Sequence, residues 1–404
     1  MPKKILFISY DGLTDPLGQS QILPYLIGLA NKGYEIQIIS AEKEERFQAH
    51  EIEIREKIKN VNIHWAYTHY TNRPPLLSTF LLINRIKMLA HNFYSINHFD
   101  IVHSRSLIPA MIGLSLKRKY KSKLIFDIRG FWVDERVEGG LWNLRNPIFR
   151  LLYNFFKKKE KQLFLSADGI VSLTNNAKNF IQNHYKTEAQ FAVIPCSVDV
   201  NHFDFSSISI DSKKQLRASL GIEESDFVLI YIGSLGTRYL LNEMIRFFKV
   251  LKNQRENAKM LFVSNSPKEL ILKEAEIEKV DIEDVIITSS NYQEIPKFIN
   301  IADAGIFFIY TGFTGKAVSP TKQSELLAMG VPIVANKGVG DIETILQDQG
   351  LGVVLADFED NSMAAAAKQL LQTDYNRENI RTKAKELFAL DKAVETYSQL
   401  YAKL

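Results

Sequence analysis

TGKAVSPTKQSELLAMGVPIVANKGVGDIETIL, residues Thr314 to Leu346, reads as loop, helix, strand, loop and the start of a second helix. Ser319-Pro320-Thr321-Lys322 is a polar turn, with Pro320 at the point where a helix tolerates a missing N–H. Glu325-Leu326-Leu327-Ala328-Met329 supplies strong helix formers, and Gly330 stands where a C-terminal cap belongs. After Pro332, Ile333-Val334-Ala335 is an apolar run of the kind found in buried parallel strands. A helix that starts after a loop offers free N–H groups and a positive dipole end, which suits phosphate. Glu325, one turn into that helix, is placed to accept a sugar hydroxyl. Taken by itself, the stretch also fits an ordinary αβα unit, and the rest of the chain decides between the two readings.

The chain has 404 residues, 46% hydrophobic and 24% charged, the balance of a globular protein of two or three domains. A single cysteine, Cys196, excludes an intrachain disulfide and a cysteine-based zinc site, and fits a reducing cytoplasm. The opening MPKKILFISY is too short an apolar run for a signal peptide and reads as a first strand. No apolar run reaches the length of a spanning helix, so a soluble or peripheral protein is expected. Residues 1–205 carry 27 Lys and Arg against 19 Asp and Glu, and the remainder 23 against 27. A basic first half and an acidic second half predict different partners, an anionic lipid or acceptor for the first among them. The basic residues are not interleaved with any nucleic-acid module, so no nucleic acid is expected.

Lys4 to Ser9 reads as a strand, Asp11 to Ser20 as a glycine-containing loop, Gln21 to Asn31 as a helix and Tyr34 to Ser40 as a second strand. This is the opening of a doubly wound sheet, without the GxGxxG dinucleotide fingerprint. Glu42 to Asn60 reads as a charged helix, and Arg73-Pro74-Pro75 as a break before an apolar helix. Lys123 to Ile128 reads as a strand, followed by a loop dense in charge and aromatics through Arg136. Open α/β sheets bind ligands at that end of their strands. Ser197 to Ser212 reads as a linker. The second half restarts with Phe227 to Ile232, then Gly233-Ser234-Leu235-Gly236-Thr237-Arg238 and a helix. No repeat of fixed period and no low-complexity segment appears. Two successive α/β domains facing each other across a cleft are expected.

Ala167-Asp168-Gly169-Ile170-Val171-Ser172, Ile194 to Phe203, Tyr231-Ile232-Gly233-Ser234, and Pro332 to Ala335 with Gly338 to Glu343 occur in an order that resembles the retaining GT-B glycosyltransferases of family 4, also called group 1. The resemblance covers essentially the whole chain. It implies an N-terminal Rossmann-like acceptor domain over 1–205, a C-terminal Rossmann-like donor domain over 206–385, and a closing helix over 386–404 that packs back towards the first domain. A subgroup with SPTK before the donor-site glutamate looks closer than the best-known members. The family commonly has two glutamates eight positions apart. Glu325 matches the second, but Ala317 stands where the first belongs, and Ser319 or Lys322 is the candidate to compensate.

The resemblance implies a retaining, metal-independent transfer of a sugar from a UDP- or GDP-sugar to a glycan or lipid-linked acceptor in surface-glycan synthesis. No tightly bound cofactor is expected. Arg238 and Lys322 are the candidate phosphate clamp, with Gly18, Gly233, Ser234, Gly236, Thr237, Ser319, Pro320, Thr321 and Glu325 on the donor side. Arg129 stands where the family often has a histidine, and a guanidinium binds an anionic or polyhydroxyl acceptor but is no base near neutral pH. Asp127 and Arg129 are candidate catalytic residues, Asp127 orienting the acceptor hydroxyl with Asp134 and Glu135; an Asp127 paired to Arg129 for structure alone is the rival reading. Gln19, His103, Arg105, Trp132, Asp134 and Glu135 are candidates on the acceptor side. The basic helix around Arg150 to Lys159 suits weak association with an anionic membrane, on the cytoplasmic face. Two alternatives stay open: a nucleotide-sugar 2-epimerase of the same fold, and a non-catalytic nucleotide-sugar binding protein.

Overall fold

A computed structural model describes residues 2–71 and 77–404. The expected break at Arg73-Pro74-Pro75 lies outside the described residues. The chain forms two compact units, Met1–Pro195 with Leu390–Leu404, and Cys196–Ala389. Division therefore falls ten residues before the boundary expected near 205, and the last helix, Leu390–Lys403, joins the first unit. Among the described residues, no helix is long and apolar enough to cross a membrane.

The first unit is built on a seven-stranded parallel sheet. Its strands are β1 (Lys4–Ser9), β2 (Glu35–Glu42), β3 (Ile63–His69), β4 (Ile101–Arg105), β5 (Lys123–Asp127), β6 (Gly169–Ser172) and β7 (Gln190–Val193), in the order β3-β2-β1-β4-β5-β6-β7. Order reverses beside β1, which is where sheets of this kind open a ligand crevice. Registration puts Ser9 opposite Arg105 and Arg105 opposite Asp127, so three strand ends lie in one row. Strands buried on both faces explain the unbroken apolar runs such as Ile5 to Ile8. The closing helix packs on helix Leu23–Asn31. Gly28 allows that approach, since a Cβ there would come within 2.5 Å of Val394.

Two local expectations change. The loop expected over Asp11 to Ser20 becomes helical from Pro16, and a break at Ile22 separates helix Pro16–Gln21 from helix Leu23–Asn31. Pro16 and Pro24 each occupy a first helical turn, where proline fits. Glu42, expected to open a helix, is instead the last residue of β2, and the helix runs over Glu44–Ile58.

The second unit holds a six-stranded parallel sheet: β8 (Phe227–Ile232), β9 (Ala258–Val263), β10 (Val285–Thr288), β11 (Ala304–Phe307), β12 (Ile333–Asn336) and β13 (Gly352–Leu355). Their order is β10-β9-β8-β11-β12-β13, again with its reversal beside the first strand of the unit. Arg381 ties the linker to this core. Its buried guanidinium donates to the carbonyls of Phe203, Val200 and Ala328 and pairs with Asp204 at 2.7 Å. Ala328 ends the helix Thr321–Ala328, so the same arginine anchors the helix that carries Lys322 and Glu325.

Candidate active site

In the second unit, the sequence Phe-Val-Leu-Ile-Tyr-Ile makes β8 a buried strand that delivers Tyr231 to its C-terminal end. Gly233 follows with φ +94, a conformation that glycine adopts without strain. A Cβ on it would stand 3.8 Å from Lys322 Nζ. Helix Thr321–Ala328 starts at Pro320 and places Lys322 in its first turn. The Lys322 side chain is 4% exposed. Its ammonium lies 4.0 Å from the Tyr231 ring centroid and 3.5 Å from that of Tyr239, and donates to Tyr231 Oη at 2.9 Å. Tyr231 Oη in turn donates to the Ser234 carbonyl at 2.8 Å. The lysine, the glycine loop and two tyrosines thus form one assembly, stabilised partly by cation–π attraction.

Burial pushes the Lys322 ammonium well below its usual range, and the nearby Glu325 carboxylate opposes that only in part. Burial pushes the Glu325 carboxyl up to about 7, with Lys322 pulling the other way. Burial thus disfavours the charged form of each group, and such perturbation is a frequent mark of a functional site. Arg238 Nη2 donates to Thr314 Oγ1 at 3.0 Å. The segment around it is pinned by the Tyr239–Ile309 bridge and by the Tyr310 N–H bond to the Arg238 carbonyl. Gly233, Ser234, Gly236 and Thr237 are exposed. Ser319 Oγ accepts from the Cys196 N–H at 3.1 Å, so that hydroxyl serves the backbone. Ala317 is buried in the turn Phe313–Ala317. A cavity of about 610 Å³ in this unit is lined by Asn265, Ser289, Ser290 and Asn291 together with Glu294 and Lys297. Sequence reading had not singled out these polar loop residues.

In the first unit, β4 and β5 bring His103, Arg105 and Asp127 to one edge, and Arg129 follows two residues on. Asp127 Oδ2 accepts from Arg129 Nη2 at 2.9 Å, from Tyr397 Oη at 3.0 Å and from His103 Nε2 at 3.2 Å. Burial alone would raise this carboxyl, but Arg129, the His103 bond and Arg105 hold it well below its usual range. Burial pushes the His103 imidazole down, against the pull of Asp127. Arg105 is 5% exposed and lies 3.8 Å from Asp11. The cluster therefore carries two guanidinium groups around one fully buried carboxylate.

Gly18 is required by the fold of the first loop, because a Cβ there would lie 2.0 Å from the Gly12 carbonyl oxygen. Gln19 Nε2 donates to the Thr14 carbonyl within the same loop. Trp132, Asp134 and Glu135, expected in a loop, stand on helix Trp132–Glu138. Trp132 packs against Trp142 and Phe156, and Asp134 accepts from Tyr153 Oη and Lys157 Nζ. Those two side chains hold the helix against helix Pro147–Ser166. Among the described residues, no group of three or more His, Cys, Asp or Glu side chains is placed to hold a metal ion.

Two parallel-sheet Rossmann-like domains, each with charged and glycine-rich loops at the carboxyl ends of its strands, define the class of GT-B glycosyltransferases. The model of Glycosyltransferase Family 4 matches residues 25–202, and that of Glycosyl transferases group 1 matches residues 212–387. Together these matches span most of the chain, which belongs to glycosyltransferase family 4. It is 20% identical over 297 residues to the alpha-monoglucosyldiacylglycerol synthase of Streptococcus pneumoniae, covering 72% of this chain and 63% of that protein. The match thus spans less than two thirds of that relative's length. Among solved structures, sucrose-phosphate synthase from Thermosynechococcus elongatus superposes with a TM-score of 0.72 at 14% identity, covering 99% of this chain and 98% of the other. Anabaena HepE, solved with UDP, gives 0.71 at 14% identity, covering 99% and 100%.

Proposed function

We propose that this glycosyltransferase moves a sugar, with retention, from a nucleotide-diphosphate sugar to a glycan or lipid-linked acceptor in the synthesis of a surface glycan or glycolipid. The observation that carries the reading is the pairing of Lys322 and Glu325 on one helix start beside the Gly233–Thr237 loop. Lys322 and Arg238 neutralise the departing diphosphate, and the backbone N–H groups of the exposed Ser234, Gly236 and Thr237 and of Thr321 at the helix start add to that field. Such preorganised donors act where charge develops, which is the largest contribution in most enzymes of this kind. Glu325 accepts the ribose hydroxyls. The cavity at Asn265 and Ser289 to Asn291, lined also by Leu216 and Phe298, takes the base, UDP- or GDP-linked. HepE was solved with UDP, and that chemistry is carried over here as part of the proposal.

The first unit receives the acceptor. Arg129, fixed by Asp127, presents a cation to an anionic or polyhydroxyl group, with Gln19, His103 and Arg105 along the same edge. Trp132, Asp134 and Glu135 support that edge from their helix. The work is placed on the cytoplasmic face of a membrane, where helix Pro147–Ser166 provides the contact. Ile148, Leu151 and Phe155 are 63%, 72% and 47% exposed at spacings that share a helix face, and Arg150, Lys158 and Lys161 are exposed on the same helix. An apolar row beside cations suits an anionic leaflet.

Thermal stabilisation by UDP- and GDP-sugars tests donor binding, because a ligand of the folded state raises the midpoint by mass action. Transfer to diacylglycerol and to membrane glycolipid extract, with and without EDTA, tests the reaction. Turnover of the donor without acceptor into an epimer would replace this reading with an epimerase. Binding without turnover of any acceptor would leave a binding protein. Loss of activity in EDTA would refute metal independence. Sedimentation with phosphatidylglycerol vesicles should fall between low and high salt, and equal sedimentation with neutral vesicles would refute the electrostatic contact.

A further inference from the structure

We infer that Tyr397 and Tyr401, on the closing helix, are positioning residues that fix the protons of the Asp127–His103–Arg129 cluster. The inference rests on the proposed role of that cluster at the acceptor edge. Tyr397 and Tyr401 are 2% and 0% exposed and lie one helical turn apart, so both phenols meet the strand ends of β4 and β5. Tyr397 Oη accepts from Arg129 Nη2 at 2.8 Å and donates to Asp127 Oδ2 at 3.0 Å. Arg129 reaches the same carboxylate oxygen directly at 2.9 Å, closing a three-membered ring of contacts. The guanidinium is thereby held by two oxygens from two different elements.

Tyr401 acts on the other side. Its hydroxyl lies 2.6 Å from His103 Nδ1, and His103 Nε2 lies 3.2 Å from Asp127 Oδ2. An ionised carboxylate only accepts, so Nε2 carries the hydrogen. Burial holds the imidazole below its usual range, which keeps the ring neutral at pH 7, so Nδ1 is the bare nitrogen and Tyr401 O–H donates to it. One tautomer satisfies every contact. Tyr25 and Tyr34 pack edge-on against Tyr397 and Tyr401, and keep the phenols from rotating away. A phenylalanine at either position preserves this packing and removes only the hydroxyl.

The full chain, labelled with ¹⁵N histidine and arginine, tests the placement by NMR at pH 7. Wild type is expected to show His103 as the Nε2–H tautomer with a hydrogen-bonded Nδ1. Y401F should move the Nδ1 resonance towards that of a free ring nitrogen, and Y397F should broaden the Arg129 guanidinium hydrogens while leaving the tautomer in place. The opposite tautomer, or unmoved signals in both variants, overturns the inference. With UDP-glucose and diacylglycerol in mixed micelles, Y397F should lower kcat/KM for the acceptor about tenfold, the scale of one hydrogen bond to a charged group, with donor KM unchanged. R129Q is the control. If R129Q leaves acceptor kinetics intact, the acceptor reading fails. If R129Q is impaired and Y397F is not, the positioning inference fails alone. The NMR result decides the placement whether or not that acceptor is turned over.

Discussion

Lys322 holds its ammonium 3.5 Å from the centroid of the Tyr239 ring, with Tyr231 supplying a second face and a hydroxyl acceptor. The lysine has exchanged water for two aromatic faces and one neutral oxygen. Desolvation on that scale is unfavourable for a charge unless an anion joins it. A diphosphate arriving at the Gly233 loop would provide that anion. The rings, the Tyr231 hydroxyl and Glu325 offset the cost of burying Lys322 in part, and a bound diphosphate would offset more of it.

Lys322→Met keeps the volume of the side chain and removes the charge. Its thermal midpoint is expected to equal or exceed that of wild type. Affinity for the nucleotide sugar should fall by about 1.5–3 kcal/mol, the scale of a hydrogen bond to a charged group. Lys322→Arg should not rescue binding, since the larger guanidinium overpacks a buried site that holds an ammonium. Calorimetric titration with the stabilising nucleotide sugar measures both. Unchanged affinity in Lys322→Met would remove this residue from the donor site.

Glu325 makes the second unit pH-sensitive in a definite direction. Its carboxyl is raised from 4.5 to about 7 in the folded chain. Between those values the unfolded state has released a proton that the folded state retains, so rising pH favours unfolding. Wild type should therefore lose stability relative to Glu325→Gln as pH rises from 4.5 to 7, with the gap constant above that. Donor affinity should move oppositely, rising through pH 7 as the accepting carboxylate forms. Thermal melts and donor titrations at pH 5 to 8 read both slopes. A variant that tracks wild type at every pH would show that this carboxyl is not perturbed.

The architecture was legible because parallel strands buried on both faces leave apolar runs, and Ile5 to Ile8 and Val228 to Ile232 are such runs. The placement of Lys322 and Glu325 at one helix start was legible because their spacing is local and sits inside a recognisable turn and helix. Tyr239 was not, since its ring meets Lys322 only after β8 and β11 pair. Tyr397 and Tyr401 lie about 270 and 300 positions from their partners, and at i, i+4 spacing they read as the apolar face of a closing helix. Glu42 was misplaced because acidic residues favour the first turn of a helix. What places it in β2 is backbone pairing with His69, and its buried carboxylate is met by donors from a loop nearly thirty residues earlier.

Asp127 should dominate the acid response of the first unit. Its folded pKa is depressed below 3.8, so its stabilising effect is present above that value and is lost as pH falls through the folded value. Asp127→Asn leaves Arg129 and Arg105 without the buried charge they face, and should destabilise by about 3–5 kcal/mol at pH 7. The difference from wild type should shrink once pH falls below 3.8. Urea midpoints at pH 7 and pH 3 test this, and a gap that is constant with pH would mean that the carboxylate charge contributes little.

Glu42 is the anchor of the first loop. Its fully buried carboxylate accepts from the N–H groups of Leu13 and Thr14, at 2.7 and 3.1 Å, and from the hydroxyls of Thr14 and Ser40. Four donors converge on two oxygens, so even the isosteric Glu42→Gln turns an amide N–H₂ against donors. A cost of about 2 kcal/mol or more is expected, since a buried donor left unsatisfied costs about 1–3 kcal/mol. Because Gly18 packs on the Gly12 carbonyl, loosening the Gly12–Thr14 turn should also free the start of helix Pro16–Gln21. Hydrogen exchange should quicken at the Leu13 and Thr14 amides, with the Thr321–Ala328 helix of the other unit unaffected. Gly18→Ala should reproduce that pattern by steric means, its Cβ meeting backbone that has no room to yield. If Leu13 and Thr14 exchange at wild-type rates in Glu42→Gln, the loop is held by its own backbone and the carboxylate is dispensable.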